Sequence, residues 1–268
     1  MEASRLQVPE LFSVKDKVVV VTGGGSGIGL MVSQGFVNNG AHVYIVSRKA
    51  SVLEQVAREL TAQGPGRCTA LGCDLQGLEQ THELAATIRR LEPQGIDVLV
   101  NNSGATWGAD SLESHPDAAF TKLLTLNVQR VFTLTQQLLG ALEQRGGVVI
   151  NVGSVDGIRV PASVTPAYSA SKAAVHHLTR VLAAQLAGRN VRVNAVAPGA
   201  FQSRMMKKTL ERVEHELVRV IPARRIGCAS DMAGVCIFLA SRAGAYVNGV
   251  VLPVDGGTIV GSQACGSL

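Results

Sequence analysis

Short apolar runs alternate with amphipathic stretches along most of this chain. The runs at residues 18–21, 41–46, 68–73, 96–100, 147–152, 191–196 and 249–254 are mostly apolar, and the first shows no polar alternation. Strands buried on both faces have this pattern. Between them, apolar residues recur at helical spacing near residues 28–39, 51–63, 78–91, 116–144, 167–187 and 231–241. A strand followed by a helix, repeated, predicts a parallel sheet with helices on both faces. Right-handed crossovers and a glycine-rich turn after the first strand give a seven-stranded, doubly wound Rossmann sheet of the α/β class, in the order 3-2-1-4-5-6-7. Ligands of such a sheet lie beyond the carboxyl ends of its strands.

The strand ends carry the candidate chemistry. The first strand runs into Thr22-Gly23-Gly24-Gly25-Ser26-Gly27-Ile28-Gly29, and a helical pattern follows until Gly40. Strand, glycine loop and helix form the context of a dinucleotide fingerprint, because the helix N-terminus offers free N–H groups to a pyrophosphate. The second strand ends Ser47-Arg48-Lys49, with no acid where one would bind the ribose 2′-hydroxyl of NAD. Arg48 can fork onto a 2′-phosphate and Lys49 adds charge, which favours NADP. Arg48 as a solvated residue stacking on adenine in either cofactor is the other reading. Asp74, at the third strand's end, either accepts from an adenine amino group or caps the next helix. Asn127 sits within a helical stretch, where its amide competes for backbone groups, so a distortion or a bound water is expected there. Ser154 ends the fifth strand. Tyr168 and Lys172 stand four residues apart, which stacks phenol and ammonium on one helix face. The positive neighbour is expected to lower the phenol pKa and poise it for proton transfer.

Composition narrows the picture. The chain has 268 residues, 46% of them apolar, a size and content suited to one large α/β core. No apolar run reaches the length of a membrane span, and no signal-peptide pattern is read at the start. The five cysteines show no metal-ligand spacing, so no metal site is expected, and free thiols in a reducing, cytoplasmic setting are. The formal charge of +5 is scattered and aromatics make up only 4%, which argues against nucleic acid and suits an anionic small molecule. With no linker or repeat, residues 1–268 read as one dinucleotide-binding domain, with an N-terminal arm over 1–14 and a substrate lid over about 200–219.

Taken together, these motifs resemble those of the short-chain dehydrogenase/reductase family. The matching residues are Thr22–Gly29, Asn101–Gly104, Asn127, Ser154, Tyr168 with Lys172, Pro198-Gly199 and Asp255-Gly256-Gly257. A closer similarity, to rhamnolipid-type β-ketoacyl reductases, rests on the stretches 102–108 and 198–205. The resemblance implies that Tyr168 is the general acid for reduction and the base for oxidation. It implies that Lys172 lowers the Tyr168 pKa and holds the nicotinamide ribose, that Ser154 binds the substrate oxygen, and that Asn127 holds a relay water. Around NADP(H) it places Gly23, Gly25, Ser26, Gly27, Ile28 and Gly29. It also places Ser47, Arg48 and Lys49, then Asp74 and Leu75 at adenine, and Asn102, Ser103 and Gly104 near the adenosine ribose. Pro198, Gly199, Phe201 and Ser203 complete the set, Ser203 standing where the family usually has Thr. Ser26 stands where NADP-preferring relatives often carry a base, and Ala229-Ser230-Asp231 lacks the usual Pro-Glu helix start. Ser230 or Asp231 can still cap that helix. Family members are commonly homo-oligomers, so a dimer or tetramer packing the helices at 116–144 and 167–187 is expected.

The implied reaction is NADPH-dependent reduction of a ketone to a secondary alcohol. Phe201, Met205 and Met206, with Trp107, Val155, Ile158 and Val160, suggest an apolar pocket wall. Lys207, Lys208 and Arg212 would suit an acidic carrier or phosphopantetheine, as in a 3-oxoacyl thioester. The same residues also read as the two faces of an amphipathic helix. A reductase of a secondary-metabolite or xenobiotic ketone, or a polyol or sugar dehydrogenase, is the alternative. A non-catalytic cofactor-binding regulator would need no proton relay.

Overall fold

Residues 18–22 explain why the first run lacks polar alternation. Val19 and Val21 enter one apolar cluster, Val18 and Val20 the other, and all four are buried. A computed structural model describes residues 6–202, 215 and 218–261. Its sheet has seven strands in the order β3-β2-β1-β4-β5-β6-β7. The strands are β1 (Val18–Thr22), β2 (His42–Ser47), β3 (Arg67–Gly72), β4 (Val98–Asn101), β5 (Val148–Val152), β6 (Arg192–Pro198) and β7 (Val251–Val254). All pairings are parallel, with Val20 opposite Tyr44 on one side and Leu99 on the other. The order expected from the sequence is observed, and each strand lies on its expected run with ends displaced by at most two residues.

Helices bounded within the described residues include α1 (Val8–Leu11), within the expected N-terminal arm, α2 (Gly27–Asn38), α3 (Ala50–Gln63), α4 (Leu78–Leu91), α5 (Asp117–Leu124), α6 (Arg130–Glu143), α7 (Pro166–Leu186) and α8 (Ala229–Ala240). Val32 and Phe36 of α2, Leu53 and Leu60 of α3, and Met232 and Cys236 of α8 fill one face of the sheet. Leu84 and Ile88 of α4, Leu134 and Leu138 of α6, and Leu182 and Leu186 of α7 fill the other. Each such side chain contributes about 1.5–3 kcal/mol by leaving water.

Two expectations change. The helix expected over 116–144 is interrupted by a π turn at Thr125–Gln129, where the Arg130 N–H bonds to the Thr125 carbonyl. Asn127 is drawn inward by its side-chain bonds, so the distortion expected around it is real. At α8 the cap is Cys228, not Ser230. The Asp231 carboxylate accepts the Cys228 N–H at 2.8 Å and holds Arg225 at 2.5 and 2.9 Å. Arg225 and the Cys228 N–H hold the Asp231 carboxyl well below the usual carboxylate range.

Candidate active site

Beyond the carboxyl end of β1 the chain turns sharply. Gly23 sits at φ +66°, a left-handed conformation that glycine adopts without strain. A Cβ at Gly29 would overlap the Gly23 carbonyl, so α2 approaches the turn only with glycine there. Ser26 occupies the N-cap in extended conformation and makes no side-chain cap bond. The first-turn N–H groups and positive end of this 12-residue helix are thus left to an external acceptor, which suits a phosphate. Asn102 and Ser103 stand directly behind the turn. The Asn102 amide donates to the Thr22 carbonyl at 2.8 Å, and Thr22 Oγ1 accepts the N–H groups of both residues at 2.9 Å. Their side-chain and backbone donors therefore shape the glycine turn.

Four further segments meet at the ends of β4 and β5. Lys172 of α7 donates from Nζ to the Val152 carbonyl at 2.8 Å, with its ammonium 5.7 Å from the Tyr168 ring centre. Asn127 donates to Ser171 Oγ at 2.9 Å and to the Ala105 carbonyl at 3.0 Å, and accepts the Ala105 N–H at 2.9 Å. A Cβ on Gly104 would stand 3.2 Å from Asn127 Oδ1 and 3.5 Å from Lys172 Nζ. Ser154 follows β5, and its Oγ accepts the Asp156 N–H at 3.2 Å. Beneath the cluster, Asn101 donates to Asn151 at 2.9 Å and to Thr135 at 3.1 Å, and Asn151 donates to Thr179 at 2.9 Å. This buried ladder ties β4 and β5 to α6 and α7. Hence Asn127, Ser154, Tyr168 and Lys172 are brought together, as the sequence implied.

The electrostatics differ from the expectation. Burial pushes the Tyr168 phenol above its ordinary value, Asp156 adds to the rise, and only a hydrogen bond with Ser154 opposes it. The lowering expected from Lys172 does not set the direction: burial outweighs it at the phenol and drives the lysine's own pKa down to about 8. Sequence spacing reports that two heads are neighbours; it does not report the dielectric around them.

The remaining candidates divide. Ser47 closes β2, and Arg48 and Lys49 are exposed just beyond it, with no hydrogen bond or ion pair from either side chain among the described residues. Asp74 accepts the Gln76 N–H at 3.0 Å and closes a turn, while the N-cap of α4 is Gly77. Leu75 is a core residue, so any ligand contact there falls to its backbone. Gly199 lies where a Cβ would come within 2.9 Å of Asp255 Cα, which holds the end of β6 close against that of β7. Phe201, expected in a pocket wall, is buried with its ring against Gly227 and lines a cavity with Ala200, Ile221 and Asp255, and Val155 is buried too. Val160 is fully exposed, and Trp107 lies under Lys122 Nζ at 5.5 Å. Ser203, Met205, Met206, Lys207, Lys208 and Arg212 lie outside the described residues. Two contributors were missed by sequence reasoning: Ser171, which takes up Asn127, and His176, which faces the Ser154 backbone. Their placement at −1 and +4 from Lys172 was the available signal.

The family described as short chain dehydrogenase matches residues 17–214. The rhamnolipids biosynthesis 3-oxoacyl-[acyl-carrier-protein] reductase of Pseudomonas aeruginosa is 41% identical over 254 residues, covering 92% of this chain and 97% of that protein. The galactitol 2-dehydrogenase (L-tagatose-forming) of Cereibacter sphaeroides is 38% identical over 93% of this chain and 98% of its own. Among solved structures, the Pseudomonas aeruginosa RhlG/NADP active-site complex superposes with a TM-score of 0.89 at 40% identity, covering 93% of this chain and 99% of that one.

Proposed function

Since this chain belongs to the short-chain dehydrogenase family, we propose that it reduces a ketone to a secondary alcohol with NADPH, Tyr168 serving as general acid. The observation that carries this reading is the convergence of Tyr168, Lys172, Ser154 and Asn127 next to a glycine turn whose helix start is uncapped by side chains. The turn fits a pyrophosphate, because Gly23 and Gly29 let the chain pack tightly against Asn102 and bring the start of α2, with no side-chain cap, up to the turn. Exposed Arg48 and Lys49 at the end of β2 would hold a 2′-phosphate, and Asp74 and the backbone at Leu75 would face adenine. NADPH, when bound, supplies the hydride to the carbonyl carbon.

The chain's own residues supply position and a proton. Ser154 Oγ orients the carbonyl oxygen. The Tyr168 hydroxyl gives its proton to that oxygen as the carbon–oxygen double bond becomes single, so ketone, hydride and proton sum to the alcohol. A raised phenol pKa keeps the proton on Tyr168 until the oxygen gains charge. Lys172 then stabilises the phenolate from one turn away. Both N–H donors of Asn127 are taken by Ala105 and Ser171, so a relay water at this residue falls to its main chain. We place the enzyme in the cytoplasm, in keeping with four described cysteines that are all free thiols.

For substrate class we favour a 3-oxoacyl thioester, supported by the 41% identical reductase. A polyol or ketose is the second reading, supported by the galactitol dehydrogenase. NADPH consumption with acetoacetyl-CoA, measured beside a panel of ketoses and cyclic ketones, separates them. Turnover of the ketoses alone would favour the second. In either case Tyr168→Phe should cut turnover by about 10²–10⁴-fold while cofactor fluorescence shows unchanged NADPH binding. A variant that turns over at the original rate would remove Tyr168 from the chemistry.

A further inference from the structure

Among the described residues, His176 is a buried titratable side chain beside the site that the reaction above does not use. It lies on α7, four residues after Lys172 and eight after Tyr168, and is only 4% exposed. Its Nε2 stands 3.4 Å from the Ser154 N–H. The turn that receives the ring is Gly153-Ser154-Val155-Asp156-Gly157. A Cβ on Gly153 would overlap His176 Nε2, and one on Gly157 would come within 2.8 Å of His176 Cε1. Neither glycine has a positive φ. Glycine at these two places therefore answers a need for room, not for backbone conformation: the imidazole takes it at Gly153, and the imidazole together with the α7 backbone at Lys172 and Ala173 takes it at Gly157.

We propose that His176 is a positioning residue for Ser154: its imidazole, seated between Gly153 and Gly157, accepts the Ser154 backbone N–H and fixes where the hydroxyl stands. The proposal rests on Ser154 acting on the substrate oxygen as described above. The Gly153 N–H still bonds to the Val196 carbonyl of β6 at 2.8 Å, and the strand pairing ends there, before Ser154. The Ser154 backbone N–H is met by the imidazole from one side, and the Asp156 N–H takes a lone pair of Oγ from the other. The geometry requires a neutral ring with Nε2 as acceptor. Burial supplies that state, helped by Lys172 and Arg180 on the same helix, and drives the His176 pKa down to about 4, against a weaker opposing pull from the Gly157 backbone. Asp156 of the facing turn is taken up by Arg159 at 3.2 Å.

The test uses the full chain, NADPH and acetoacetyl-CoA or whichever ketone of the panel is turned over. A hydroxyl displaced by about 1 Å loses up to about 100-fold in rate, so His176→Leu should lower kcat by about 10–100-fold with NADPH affinity unchanged. His176→Gln, whose amide oxygen can accept the same N–H, should recover most of that loss. Gly153→Ala, which displaces the ring without altering it, should reproduce the loss and serves if the leucine variant does not fold. In a Ser154→Ala background His176→Leu should have almost no further effect, because the residue through which it acts is gone. Unchanged kcat in His176→Leu, equal damage from leucine and glutamine, or a full multiplicative loss in the Ser154→Ala background would each overturn the proposal. If the unaltered protein turns over no ketone, the reductase reading fails. A crystal structure of His176→Leu then decides the positioning by itself: displacement of Ser154 Oγ supports it and an unmoved turn rejects it.

Discussion

Lys172 gives up its proton more readily than a lysine in water because burial disfavours its charge, and the bond from its Nζ to the Val152 carbonyl does not offset that burial. An unfolded chain keeps that proton to about pH 10.5, whereas the folded one releases it near 8. Between these values the unfolded state binds more protons, so the lysine's destabilising effect is full below pH 8 and fades as pH rises. Denaturant unfolding at pH 7.5 and pH 10.5 should show the protein gaining up to about 3 kcal/mol relative to Lys172→Met; parallel profiles would show that the ammonium is not desolvated. Arg48 poses the opposite case, an exposed cation at the end of β2. Replacing it by aspartate removes a charge-assisted hydrogen bond worth about 1.5–3 kcal/mol, so the ratio of kcat/KM for NADPH over NADH should fall by about 10–100-fold. A ratio that does not move would assign phosphate recognition elsewhere.

At the scale of elements, α2 depends on its first turn. Gly29→Ala places a methyl group against the Gly23 carbonyl, and the helix start must shift away from the turn. The expected outcome is at least a tenfold loss of NADPH affinity by titration, with circular dichroism unchanged; intact affinity would mean that the turn yields at no expense. How much of this was legible in advance varies with the kind of burial. The strands were legible because their residues are apolar on both faces, as Val18 to Val21 show. The break at Thr125–Gln129 was legible only as a suspicion from Asn127, since a π turn barely disturbs apolar periodicity; its cause lies in Ala105 and Ser171, far off in sequence. Phe201 was legible as an apolar side chain just past a strand end, but that its buried ring packs on Gly227, 26 residues on, was not. The phenol pKa of Tyr168 was misjudged in sign, since spacing does not contain burial.

For the molecule as a whole, one surface stands out. A groove of about 440 Å³ runs along α5 and the π turn, lined by Thr121, Leu124, Thr125, Val128 and Gln129. Leu124 in this groove and Phe132 on the following helix, α6, are exposed large apolar residues. It belongs to the helical stretch from which association was expected. Light scattering should therefore give twice or four times the 28.0 kDa chain mass, and Leu124→Arg should shift the protein toward single chains; a single-chain mass for the unaltered protein would refute this. Among the described residues no helix is long and apolar enough to cross a membrane.

The all-parallel order of the sheet also bears on how the protein is born. No two of these strands can be joined by a hairpin, so each pairing waits for a whole crossover to emerge from the ribosome. The central pair of β1 and β4 links residues about 80 apart, for Val19 lies opposite Val98. A nascent chain halted at residue 190 would already hold Tyr168 and Lys172, yet β5 would lack the neighbour, β6, that lines its outer edge. Turnover should thus appear late in translation, and ribosome-stalled lengths that end before residue 198 should be silent although every proton-handling group has been made.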